Sequence, residues 1–135
     1  MIGLDTNVLA RYLAQDDARQ SAAATRLIEK ELSIASPGFV SLVVIAELCW
    51  VLHRLYSATM DELVTMLEDL LGTPQFQIER REVVQAAIPR FKESSSRKSG
   101  VTDALIAQIA ASAGCTHTVS FDKAAVRSAD MTLLV

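Results

Sequence analysis

The chain has 135 residues, half of them apolar and 21 % charged, with a formal net charge of −3. That describes one folded domain with a sizeable core, and excludes a disordered or collagen-like chain. A sequence pI of about 5.3 also excludes a broadly basic surface that binds nucleic acid by charge alone. Any nucleic-acid chemistry would need a local patch or a bound cation. The two cysteines, Cys49 and Cys115, lack metal-ligand spacing, and their apolar surroundings predict reduced core residues. No membrane span is expected, because Glu47, His53 and Arg54 interrupt the longest apolar run. The N-terminus reads directly as a strand rather than a signal peptide, so the expected compartment is the cytoplasm.

Taken in order, Met1-Ile2-Gly3-Leu4 reads as a short buried strand ending at Asp5. Val8 to Leu13 begins a short helix, and Asp16 and Asp17 offer cap and first-turn charge for a second, Ala18 to about Leu32. Ser33 to Ser36 reads as a strand stopped by Pro37-Gly38. Ser41 can cap a long helix, Leu42 to about Tyr56, apolar nearly all round. Thr59-Met60-Asp61-Glu62 is a capping box for a helix that ends before Gly72. Gln75 to Glu79 is a strand, and Arg81 to about Ser94 a helix with a kink or early break at Pro89. Residues 94–100 form a loop. Val101 to Ala113 is a helix closed by Gly114, Cys115 to Phe121 a strand, Asp122 to Arg127 a helical turn, and Met131 to Val135 a last strand. Alternating strands and helices predict a single three-layer α/β domain over residues 1–135 with a parallel sheet.

Four acids stand out by placement. Asp5 and Asp122 each end a strand, where open α/β sheets gather their ligands. Glu47 has Val43, Val44, Trp50 and Val51 as its helical neighbours, and a buried unpaired carboxylate there costs several kcal/mol. Asp103 faces Ile106, Ala107 and Ala110. Plainer readings stand beside each: Asp5 and Asp122 can cap turns, and Asp103 can complement a helix dipole. Jointly, two strand ends and two helix starts can converge at one sheet edge. Two such charges 5 Å apart repel by roughly 3 kcal/mol at an effective dielectric of about 20, so the group needs protons or a divalent cation. All-oxygen ligands suit Mg²⁺ or Mn²⁺ rather than Zn²⁺. Such a site activates water against a phosphodiester.

The ordered set Leu4-Asp5-Thr6-Asn7, Ser41 through Ala46-Glu47-Leu48, Asp103-Ala104-Leu105-Ile106-Ala107 and Ser120-Phe121-Asp122 resembles the PIN-domain ribonucleases. Within them it is most similar to the VapC-type toxins of toxin–antitoxin pairs. The resemblance covers essentially the whole chain. It implies a five-stranded parallel sheet between helices, with Asp5, Glu47, Asp103 and Asp122 as the catalytic, metal-binding acids. Thr6, Asn7 and Ser120 would orient those acids or the attacking water, with Mg²⁺ or Mn²⁺ as cofactor. It also implies hydrolysis of RNA to a 5′-phosphate and a 3′-hydroxyl, a homodimer, and inhibition by a cognate antitoxin. Ser120 stands where the family often has Thr, which keeps the hydroxyl. Val101-Thr102 precede Asp103 where an aromatic or small residue is commoner. Neither departure removes an acid.

His53 and His117 adjoin none of the acid motifs, so cleavage by a histidine pair is disfavoured. The helix Met60 to Leu71, with Trp50 and Tyr56, is wide enough in its apolar face to suggest a partner surface. Rival classes fare less well. A non-cleaving PIN-like module that binds RNA or protein would have little use for an intact acid set. Phospho-acceptor domains want paired acids after the first strand, phosphatases want an acid at position 7, and structure-specific DNA nucleases usually carry longer insertions. Arg90, Lys92, Arg97 and Lys98 against Glu93 form a local basic stretch just before the Asp103 helix, which either grips phosphates or is simply solvated. Replacing Arg97 and Lys98 with Ala should weaken RNA binding and reduce the slope of log affinity against log salt by about 1–2. An unchanged slope in a filter-binding titration would leave the stretch as solvated loop.

Overall fold

The computed structural model describes residues 1–93 and 100–135, Glu93 by its backbone only. Strand β1 (Ile2–Gly3) leads into α1 (Thr6–Ala14), and α2 (Ala18–Arg26) follows with Asp17 accepting from the Gln20 N–H as its cap. The helix expected to reach Leu32 loosens instead into a π turn, Leu27–Glu31. Ser33 to Ser36 is not a strand. Its two ends exchange backbone hydrogen bonds, and Ser33 Oγ accepts a third from the Ser36 N–H. Local serine bonding of this kind competes with sheet pairing. Strand β2 (Gly38–Val40) therefore starts after Pro37 rather than ending before it. A Cβ at Gly38 would come within 2.8 Å of the Leu4 and Leu32 side-chain ends, which would have to shift to admit it.

Helix α3 (Leu42–Tyr56) is capped by Ser41 Oγ, and its first N–H is taken by the Glu79 carboxylate at 2.8 Å. Thr59 and Glu62 form the expected capping box at the start of α4 (Met60–Leu71). Strand β3 is Phe76–Ile78, and α5 (Arg81–Glu93) runs on past Pro89, held by buried Val83, Val84, Ala87 and Phe91. Then come α6 (Val101–Ser112), β4 (Val119–Ser120), α7 (Lys123–Ala129) and β5 (Thr132–Leu133). Gly114 takes φ +94° just past the cap of α6, as a C′ glycine does.

The five-stranded sheet is not what forms. β1, β2 and β3 make one parallel sheet, with Ile2 opposite Gly38 and Gly38 opposite Phe76; β4 and β5 make a separate parallel pair. The reason lies in lengths and burial. β1 and β4 are two residues each, and Ile2 and Val119 are about half exposed. The expected strand from Cys115 shrinks because Cys115 to His117 are exposed and contribute nothing to a core. The β4–α7–β5 unit closes over a minor cluster of Ala107, Ala125, Ala129 and Met131.

The main core gathers Leu9, Ile28, Val40, Ile45, Leu48, Leu67, Val84 and Phe91. Cys49 belongs to it, and burial pushes its thiol up to about 12. Cys115 is exposed, contrary to its expected core position. The apolar face of α4 is also core: Leu63, Val64, Met66, Leu67 and Leu70 are buried within this chain. The partner surface expected there is withdrawn, since Tyr56 is occupied too. Its hydroxyl donates to Asp16, whose carboxylate also receives the Arg11 guanidinium at 2.9 Å. These bonds hold the Asp16 carboxyl below the usual carboxylate range, the Tyr56 bond most of all. They tie the end of α1 to the end of α3, so the helices that start at Asp5 and carry Glu47 are fixed to each other.

Replacing Leu67 with Ala should cost about 2–5 kcal/mol in urea unfolding of the monomer, as for any fully buried leucine. A change under about 0.5 kcal/mol would mean that α4 faces outward after all.

Candidate nuclease site

Each predicted acid sits at the start of a helix or within its exposed face. Asp5 occupies the N-cap position of α1 in extended backbone, yet its carboxylate makes no capping bond. The plain reading of Asp5 as a cap is therefore not realised. It is exposed, and its charge stays available.

Thr6 is 2 % exposed, and its Oγ1 has no hydrogen-bond partner among the described residues. A buried hydroxyl without a partner is unusual. Asn7 is exposed and lines the cleft between α1 and α2 with Arg11 and Gln20.

Glu47 is exposed, not buried. Its apolar neighbours Val43 and Trp50 are exposed with it, at 77 % and 57 %. The helical spacing was read correctly, but the face turns outward, so the argument from the cost of burying a carboxylate does not apply. Glu47 makes no hydrogen bond or ion pair among the described residues.

Asp103 lies in the first turn of α6 and is partly buried. Its carboxyl is pushed above the usual carboxylate range, first by burial and then by the negative charge of Asp122. A residue serving mainly to complement the helix dipole would be shifted the other way. Asp122 ends β4 and caps α7: its Oδ1 accepts from the Ala124 N–H at 2.8 Å. Its own N–H donates to Ser120 Oγ at 3.0 Å, so the Ser120 hydroxyl fixes the backbone that carries the acid. The cap reading of Asp122 is thus real, and it engages one carboxylate oxygen.

The fold therefore brings Asp103 and Asp122 within electrostatic reach, through the packing of α6 on α7. Among the described residues, no three His, Cys, Asp or Glu side chains converge on a common metal position. The donor chemistry of the Asp103–Asp122 pair still suits a hard divalent cation. Mg²⁺ commonly sits on one or two carboxylates and keeps much of its water. Arg97 and Lys98 lie outside the described residues. His53 Nδ1 is paired with the Ala58 carbonyl and His117 Nδ1 with the Thr116 hydroxyl.

One feature was not anticipated from sequence. Glu79 also follows a strand, at the end of β3, but it is used to cap α3. Strand-end acids in this chain thus divide into structural and available ones, and only the fold separates them.

Because the folded-state pKa of Asp103 lies above its unfolded value, the fold binds the extra proton between the two, and stability falls as pH rises through that window. Asp103→Asn should accordingly raise the melting temperature at pH 7 in EDTA, by roughly 1–3 °C after allowing for solvent screening. The gain should vanish below pH of about 3, where the carboxyl is protonated folded or unfolded. A variant less stable than the parent at pH 7 would contradict the strain assigned to this pair.

None of the curated proteins compared matches the chain. The family model for the PIN domain, however, matches residues 2–130. That span takes in all four acids, the three-stranded sheet and every helix described above, and the chain belongs to the PIN domain family.

Proposed function

We propose that this protein is a divalent-metal-dependent endoribonuclease, the toxin of a toxin–antitoxin pair, with Asp5, Glu47, Asp103 and Asp122 as its working acids. PIN domains are generally nucleases, which sets the reaction class. The observation that carries the reading is the Asp103–Asp122 pair. Asp103 is partly buried within electrostatic reach of Asp122, burial first and the Asp122 charge second raise its proton affinity, and no Lys or Arg neutralises either among the described residues. A fold keeps such repulsion where a cation is to be bound.

The chain's own residues would divide the work as follows. Asp103 and Asp122 would hold Mg²⁺ or Mn²⁺, which supplies a polarised phosphate oxygen and a water of lowered pKa. Asp5, free of any capping bond, is available to orient that water or accept its proton. Thr6 Oγ1, buried and unpartnered beside it, is available to hold the same water. Ser120 positions Asp122 through its backbone N–H. Glu47, exposed on α3, would be the fourth acid of the set. In-line attack on phosphorus would leave a 5′-phosphate and a 3′-hydroxyl.

The reading includes a homodimer and a cognate antitoxin in the cytoplasm. Exposed Ile34, Leu55, Leu134 and Val135 leave apolar surface for protein partners. No helix among the described residues is long and apolar enough to cross a membrane. A second reading, a PIN-like module that binds RNA or protein without cutting, draws on the absence of a three-acid cluster among the described residues.

Purified protein incubated with total cellular RNA in Mn²⁺ or Mg²⁺ separates the two. Discrete cuts with 5′-phosphate ends should appear, stop in EDTA, and fall at least about 100-fold in Asp5→Asn. Retained RNA binding with no cutting by antitoxin-free protein would favour the second reading.

A further inference from the structure

Where α2 meets α1 it presents Ala23 and Ala24, which are too small to fill the space between the helices. The result is a cleft of about 390 Å³, with Val8, Ala23, Ala24 and Leu27 as its apolar walls. That volume is in the range of small-molecule sites. Its polar side is Asn7, Arg11 and Gln20. The Arg11 guanidinium is only partly spent. Its Nε donates to Gln20 Oε1 at 2.8 Å, and its Nη1 donates to Asp16 and to Tyr56. Among the described residues Nη2 has no partner. An arginine nitrogen can only donate, so Gln20 must turn its oxygen to Arg11, which leaves its Nε2 amino group over. That group is unbonded among the described residues, and so is the side-chain amide of Asn7, one turn before Arg11 on the same face of α1. The cleft also adjoins a candidate acid. Arg11 lies six residues past Asp5 on α1, about 9 Å along the helix axis, with Asn7 between them.

Arg11 Nη2 and Gln20 Nε2 are donor groups on two side chains already bonded to each other, and they call for a ligand edge with two adjacent acceptors. The Arg11 charge is met by Asp16 at 2.9 Å, so a neutral edge fits, whereas an anion would also face the Asp16 carboxylate. Among nucleobases guanine presents such an edge, O6 beside N7. Adenine puts an amino group where guanine has O6, and a donor facing donors leaves both unpaired. Apolar walls suit the two faces of the ring. We propose that the α1–α2 cleft is a guanine-reading subsite, in which Arg11 and Gln20 donate to O6 and N7, so that the protein selects RNA with a guanine beside the bond it cuts. The inference rests on the nuclease reading above and adds the base that directs it. An apolar side chain from a partner protein is a poorer occupant, because it would cover the walls and leave the donors of Arg11, Gln20 and Asn7 unpaired.

Binding in EDTA, where no cutting occurs, tests this without catalysis. A short RNA with a single G should shift the side-chain NMR signals of Asn7, Arg11 and Gln20. Replacing that G with A, or with 7-deazaguanine, which lacks the N7 acceptor, should weaken binding by about 5- to 150-fold. Gln20→Met keeps the side-chain length but loses the amino group, and it should bind the G and 7-deazaguanine strands nearly equally. Ala23→Leu fills the cleft and should lose the preference by a separate route. Equal affinity of the parent for the G and 7-deazaguanine strands, or cleft signals that stay unmoved, would overturn the proposal. So would shifts produced by guanosine but not by the RNA, which would place a free nucleoside in the cleft, and shifts that appear with protein concentration alone, which would place a second copy there. The two readings can fail separately. Cleavage in Mn²⁺ with no base preference removes the guanine subsite alone, whereas a G preference in binding with no cleavage keeps the subsite and removes the nuclease.

Discussion

Repulsion between Asp103 and Asp122 is the constraint around which this site is best understood. Their approach follows from packing α6 on α7, and burial of Asp103 first, with the Asp122 charge second, raises its proton affinity with no basic residue to offset the cost among the described residues. A stable fold tolerates such a feature more readily when a ligand repays it. Under the proposed function that ligand is a cation that favours oxygen. Asp5 and Thr6 supply further oxygen atoms with no protein partner, one at the surface and one buried.

The two halves of the molecule carry this arrangement unequally. β2, β3 and helices α1 and α3 to α6 share one core, in which the first N–H of α3 is taken by Glu79 just after β3. Arg11, Asp16 and Tyr56 fasten α1 to α3 at the surface. The β4–α7–β5 unit has a far smaller cluster, and its strands meet only each other. Asp122 therefore rides on a lightly packed element while Asp103 rides on a heavily packed one. Ser120 Oγ and the capping bond to Ala124 give Asp122 local order that the core does not.

How much of this was legible in the sequence follows from what each residue reports. Caps and turn signals are local, so Ser41, Thr59 with Glu62, and Gly114 marked their helix ends correctly. Periodicity gave the existence of α3 and α4 but not which way their faces turn. Glu47 with Val43 and Trp50 looked like a buried acid in apolar company, and all three are exposed. The α4 face looked like surplus apolar surface, and the core consumes it. Orientation is a tertiary property, decided by which neighbours exist to cover a face. Sheet closure was misread for the same reason. Runs such as Cys115 to Phe121 have strand composition, but two paired residues with exposed side chains do not unite β4 with β1. The helix-start positions of Asp5, Asp103 and Asp122 were legible because local backbone signals set them. The division between Glu79 as a cap and Asp5 as an available group was not.

The central claim is that these acids form one cation site, and calorimetry of Mn²⁺ binding tests it most directly. The account predicts binding by the parent protein that is lost in Asp103→Asn and in Asp122→Asn, and weakened in Asp5→Asn and Glu47→Gln. No binding by the parent, or equal binding by all four variants, would contradict it.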